Sequence, residues 1–220
     1  MVALKTFENL DEKRKQQIIQ VALKEFAVNG YEQASLSEII KKLKLAKGSF
    51  YRYFDSKQSL YFYLLEYCSK TRLAHDDKYI TKKSDDFFEM MLQHFSGKIH
   101  FDKIHPNESA FLHSVYEEKN NDEIIDLQFR GKEKVLDLIR KEVKHQLKKN
   151  KLRKDIDVST LAYITLQFNI SILDFLAYQH KIDYRKNIKE GKTLYGLSEK
   201  TMVKAARNYM DIFKNGILKK

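Results

Sequence analysis

Six cations, Lys41, Lys42, Lys44, Lys47, Arg52 and Lys57, face the single acid Asp55 over residues 41–57, a local charge of +5. Ser49, Tyr51 and Tyr53 are interleaved with them, Gly48 sits in their midst, and Ser35 and Ser37 lie just upstream. Such a set suits binding to a polyanion. Ammonium and guanidinium groups neutralise phosphates and release counterions, and hydroxyls donate to phosphate oxygens. A lysine can also donate to guanine O6 and N7. The whole chain carries +11, divided as +4 over residues 1–58 and a dispersed +7 over the rest. A basic run alone also describes a solvated helix face, so the scaffold beneath it decides.

Other chemistries find no residues to carry them. The chain has no H-E-x-x-H, G-x-S-x-G, G-x-G-x-x-G or Walker A pattern. Cys68 is the one cysteine and lies on an aromatic stretch, where a small core hydrophobe is expected rather than a nucleophile. His94, His100 and His105 include no i, i+4 pair, so no metal site is expected, and no cofactor either.

The elements that position these residues follow from composition. A chain of 220 residues with seven glycines and one proline has too few turn formers for a sandwich, barrel or doubly wound sheet. A hydrophobic fraction of 43% still supports a core. The expected fold class is all-α. The opening MVALKTFENLDEKRKQQ has no apolar signal region, and no uninterrupted apolar run approaches about 18 residues. A cytoplasmic protein with no membrane partner is expected.

Asp11 opens a first amphipathic helix through Ile18, Ile19, Ala22, Leu23 and Phe26, which Asn29-Gly30 should end. Ser35-x-x-Glu38 is a capping box for a short helix with Leu36, Ile39, Ile40 and Leu43. A second short helix follows from about Ala46 to Tyr53, with Phe50 and Phe54 completing the apolar face. Asp55-x-x-Gln58 then opens a long aromatic helix to about residue 80. Two short helices joined by about three residues, with cations on the second, describe a helix-turn-helix at about 35–54.

These residues resemble the TetR family of bacterial transcriptional regulators. The resemblance rests on Phe26…Gly30-Tyr31, Ser35-Leu36-Ser37-Glu38-Ile39-Ile40, Lys47-Gly48-Ser49-Phe50-Tyr51-Arg52-Tyr53-Phe54 and Ser56-Lys57-Gln58-Ser59-Leu60, about 50 residues in all. It implies an N-terminal three-helix DNA-binding domain at 1–70 and a helical ligand-binding and dimerisation domain at 71–220. It further implies a homodimeric repressor of double-stranded operator DNA, released by a small apolar or amphipathic molecule. The alternative is the same fold used as a coregulator or nucleoid-associated factor without an inducer. Ser35, Ser37, Lys44, Lys47, Gly48, Ser49, Tyr51, Arg52, Tyr53 and Lys57 form the expected DNA-binding set, with Lys47 at base edges and the tyrosine hydroxyls on phosphates. The chain departs from the family pattern at Lys44, where the turn usually has a small residue, and at Ala46, where a serine usually caps.

The body reads as more helices. Ser84 should cap one through Phe95, Gly97 and Pro106 should frame an irregular segment at 97–107, and Asn107–Glu118 reads as a short helix. A long helix runs from Asn121 to about Lys149, and the cations at 148–154 suit a helix C-terminus. Residues 158–179 are apolar almost all round, so both faces need cover. With the last helix, about 198–217, they offer a dimer surface of Leu161, Phe168, Ile172, Phe175, Met202, Ala206, Tyr209 and Phe213. His113, Tyr116, Gln128, Tyr163, Gln167 and Phe168 are candidates for orienting a ligand, or are satisfied core groups.

Overall fold

Side-chain caps set where the helices start. Asp11 accepts from the amide of Arg14 at 3.0 Å, Asn121 from Ile124 at 3.1 Å and Asp157 from Thr160 at 2.7 Å. Each satisfies an amide that a helix N-terminus leaves without an intrahelical acceptor. The computed structural model describes residues 5–80, 84–149 and 152–217, so Asn150 and Lys151 of the cationic run lie outside the described residues. The fold is all-α, as expected. In chain order the described helices are α1 Lys5–Glu8, α2 Glu12–Gln33, α3 Leu36–Lys42, α4 Lys47–Tyr51, α5 Lys57–Tyr79 and α6 Phe87–Ile104. They continue as α7 Pro106–Glu117, α8 Asp122–Lys148, α9 Val158–His180, α10 Tyr184–Lys189 and α11 Glu199–Ile217.

Several local expectations shift for identifiable reasons. Gly30 interrupts α2 with φ 69° and ψ 179°, a region open essentially to glycine rather than the expected left-handed helical one. The cap of α5 moves one residue on: Ser56 Oγ accepts from the amide of Ser59 and Ser59 Oγ from that of Ser56, both at 3.0 Å. Asp86, not Ser84, caps α6, accepting from Phe88 and Glu89 at 2.8 and 3.0 Å. Gly97 lies inside α6 rather than in an irregular segment. A Cβ there would sit 3.3 Å from the Tyr79 ring, so the missing side chain serves close approach of α5. The break falls at His105, φ −130° and ψ 60°, and Pro106 opens α7.

The chain packs as two units. The first comprises Met1–His75, Phe101–Ile124 and Tyr184–Leu194, so the segment expected as residues 1–70 shares its unit with α7 and α10. At its core, the Phe26 and Tyr61 rings are 5.1 Å apart and Phe111 of α7 lies 5.0 Å from Tyr61. The second comprises Asp76–His100, Ile125–Asp183 and Tyr195–Lys220. There Phe87, Met91, Phe95, Leu161, Ile172, Met202 and Ala206 are buried. By length and composition α9 is long and apolar enough to cross a membrane, a test that core helices also pass. Its Ser, Thr, Gln and Asn residues break the apolar run without making the helix polar.

Candidate nucleic-acid interface

Helices α3 and α4 are held by a turn that closes on backbone bonds. The amide of Leu45 donates to Ile40 O and that of Lys44 to Lys41 O, both at 3.1 Å, the paired bonds of a Schellman motif. Its left-handed residue is Lys44, at φ 52°. A side chain there costs roughly 1 kcal/mol relative to glycine. From α2, Arg14 Nη2 donates to Leu43 O at 3.2 Å and fixes the turn against that helix. Ala46 caps α4 with extended backbone and no side-chain bond.

One leg of the expected capping box is replaced. Ser35 Oγ accepts from the amide of Glu38 at 3.3 Å, but the amide of Ser35 donates to Glu25, not to Glu38. The Glu25 carboxylate is buried and also accepts from Asn29 at 2.9 Å and from Lys42 Nζ at 2.7 Å. Burial works to raise its pKa, but the Lys42 bond, the Ser35 amide and the Lys42 charge outweigh it and hold the carboxyl below its ordinary value. Lys42 is thereby compensated within the protein. Lys57 is turned inward as well. Its Nζ donates to Glu32 O at 3.1 Å and Ala34 O at 3.3 Å, and lies 4.8 Å from the centre of the Tyr31 ring. Lys41 lies 4.0 Å from Glu38. Lys44, Lys47 and Arg52 remain as exposed cations with no ion pair among the described residues.

These three share the outer surface with the rest of α4. Phe50 and Phe54 are fully buried beneath it. Lys47, Gly48 and Tyr51 are exposed above, Ser49 and Tyr53 are half-buried, and Ser37 is exposed on α3. A Cβ on Gly48 would meet nothing within 4 Å, so no packing inside the protein calls for glycine there. The side of α4 that sequence reasoning missed is its C-terminal flank, where Thr6 Oγ1 donates to Arg52 O and Phe7 is buried. One aromatic before the first cap gives no periodic signal.

The remaining candidates are scattered by comparison. His113 and Tyr116 lie in the first unit, and Gln128, Tyr163, Gln167 and Phe168 in the second. His113 packs 4.3 Å from the Tyr184 ring and its Nε2 lies 3.4 Å from Glu117. Tyr116 is exposed, Gln128 and Gln167 are half-buried, and Lys132 Nζ lies 4.7 Å from the centre of the exposed Tyr163 ring. His100 and His105 sit against different rings, Tyr79 at 4.9 Å and Phe101 at 5.0 Å. Burial pushes the Cys68 thiol up, with Glu108 adding to it, which makes the thiol unreactive.

The surface drawn for dimerisation divides in two. Leu161, Ile172, Met202 and Ala206 are buried inside the protomer, so they belong to its own core and not to a surface. Phe168, Phe175, Tyr209 and Phe213 form an aromatic row between α9 and α11, with Phe168–Phe213 at 4.7 Å and Phe175–Tyr209 at 5.4 Å. Of the expected set only Phe175 is exposed, and the other exposed apolar residues are Tyr163, Ile164, Ile170 and Tyr178 on α9 and Ile212 on α11.

Residues 18–64 match the family model described as bacterial regulatory proteins, tetR family. Over 50 residues the chain is 50% identical to an uncharacterized HTH-type transcriptional regulator, YuxN, of Bacillus subtilis (strain 168). That match spans 23% of this chain and only 17% of the relative's length. In structure, the chain is similar along 100% of both chains to a TetR family transcriptional regulator from Chloroflexus aurantiacus J-10-FL, with a TM-score of 0.81 and 22% identity. It is also similar to the ketosteroid transcriptional regulator KstR2 of Mycobacterium tuberculosis, with a TM-score of 0.62 and 14% identity over 96% of this chain and 98% of that one.

Proposed function

We propose that this chain, whose DNA-binding unit and fold are those of TetR-family transcriptional regulators, is a homodimeric repressor released from its operator by a small molecule. The observation that carries the reading is the outer surface of α4. Lys44, Lys47 and Arg52 stand exposed around Gly48, with no ion pair among the described residues, over the buried Phe50 and Phe54. Gly48 has open space where a side chain would be, which suits close approach of a duplex in the major groove. Lys47 reads base edges, and Arg52, Tyr51, Tyr53, Ser37, Ser49 and Lys44 hold phosphates. Ser35 and Lys57 act from behind, one capping α3 and the other tying α5 to the carbonyls that precede α3.

Lys44 and Arg52 on phosphates make four contacts per dimer, and together they contribute about −3.6 to the log–log salt slope of operator affinity. The exposed apolar face of α9, with Ile212 of α11, supports the dimer. Fold likeness to a ketosteroid regulator supports an apolar or amphipathic ligand bound in the helical body. By preferring a body conformation with the wrong spacing of the two recognition helices, that ligand lowers operator affinity by about 1–3 kcal/mol.

The test is Lys47→Ala combined with Tyr51→Phe. The double variant is expected to lose specific operator binding in an anisotropy titration while sedimenting like the parent. Normal operator binding by the variant would remove α4 as the recognition helix.

A further inference from the structure

Helix α1 spans four residues, too few to be held by its own hydrogen bonds, yet Phe7 is fully buried. Its ring lies 4.8 Å from Phe54, 5.2 Å from Tyr63 and 6.1 Å from Tyr53, so it closes an aromatic box at the end of the recognition helix. Arg52 is the C-cap of α4, where carbonyls lack intrahelical donors, and the Thr6 hydroxyl supplies one to Arg52 O. Two unrelated contacts therefore hold α1 against the same spot. Lys5 is the next residue, and it is exposed with no ion pair among the described residues. Glu12, the acid that opens α2, is paired with Lys15 at 2.8 Å.

We propose that α1 is part of the DNA interface, with Phe7 and Thr6 anchoring it so that Lys5 contacts a backbone phosphate beside the one held by Arg52 and Tyr53. Phosphates on one strand follow one another about every 3.4 Å along the helix axis. A cation one residue from a group bonded to Arg52 thus finds a phosphate of its own. Phe7 is a positioning residue, acting through Tyr53, and Lys5 is the contact. The cation lies more than 30 positions before the basic stretch at 41–57 and only folding brings it there.

The proposal rests on the DNA-binding reading, and its experiment separates the two. The probe is a 30-base-pair duplex, a length of about three helical turns, selected from a random library by the intact chain. Its affinity is measured against salt for the parent, Lys5→Ala, Lys5→Arg, Lys24→Ala and Lys47→Ala. Lys5→Ala should flatten the salt slope by about 0.9 for each Lys5, or about 1.8 per dimer, with the thermal midpoint unchanged. Lys5→Arg should restore the slope, and Lys24→Ala, an exposed lysine of α2, should leave it alone. A parental slope for Lys5→Ala overturns the proposal, as does an equal loss from Lys24→Ala, which would mean net charge and not a contact. If the intact chain selects no duplex, or Lys47→Ala keeps the parental slope and affinity, the DNA-binding reading fails first. Being on the surface, Lys5→Ala does not put folding in question.

Discussion

The outer face of α4 and the outer face of α9 are built in opposite ways. On α4 the apolar rings of Phe50 and Phe54 are fully hidden and what faces out is lysine, arginine, glycine and hydroxyl. On α9 one face is buried through Leu161, Ala162, Thr165, Ile172, Leu173 and Leu176, and the other exposes Ile164, Ile170 and Tyr178, the last at 85%. The α4 surface is already satisfied by water and gains from a polyanion chiefly by releasing counterions. The α9 surface keeps apolar area in water until a second apolar surface covers it. Binding at the first should therefore weaken steeply with salt, and association at the second should hardly respond.

The largest test of that contrast is Ile164→Glu with Ile170→Glu. Four carboxylates buried in the proposed dimer would weaken it by at least about 100-fold, or roughly 2.7 kcal/mol, read by sedimentation equilibrium. Both positions are exposed in the protomer, so its urea midpoint should move little. An unchanged dimer would put the association surface elsewhere. Next comes Glu25, the buried acid behind α4. Its folded pKa lies below the ordinary value of 4.5, so its stabilisation is complete above that value and is lost as pH falls through the depressed one. Glu25→Gln should cost about 2 kcal/mol at neutral pH and flatten the acid limb of urea melts, without altering dimerisation. The smallest effect separates folding from binding. Gly48→Ala should stabilise the fold by up to about 1 kcal/mol, because the methyl meets only open space, while weakening operator binding. A variant that is more stable and binds equally well would mean that the duplex does not approach α4 at that residue.

What was legible in the sequence follows from the range of the forces involved. Caps act within three residues, so Asp11, Ser35 and Asn121 could be read directly. The helix-turn-helix was legible because its apolar spacing and the Ser35 cap agree. Glu25 was not, since its partners Ser35 and Lys42 lie 10 and 17 residues away. Gly97 looked like a break by local propensity, and a tertiary contact with Tyr79 gives it another reason. Helices α1 and α10 are too short to show a period, and α10 buries only Ile188. On α9 both faces are apolar, so pattern alone could not say that Leu161 and Ile172 look inward while Ile164 and Ile170 look out.

The first unit is stitched from three stretches of chain, and the last of them, Tyr184–Leu194, arrives late. It is fastened by the Leu194 amide to the buried Asp102 carboxylate at 3.1 Å and by Tyr184 against His113, while Asn187 closes the stretch on itself by donating to Leu194 O at 3.0 Å. During synthesis at about 5–20 residues per second, α2 to α5 wait several seconds for that piece to leave the ribosome. The unit that carries α4 is begun before the second unit and completed only after most of that unit has been made.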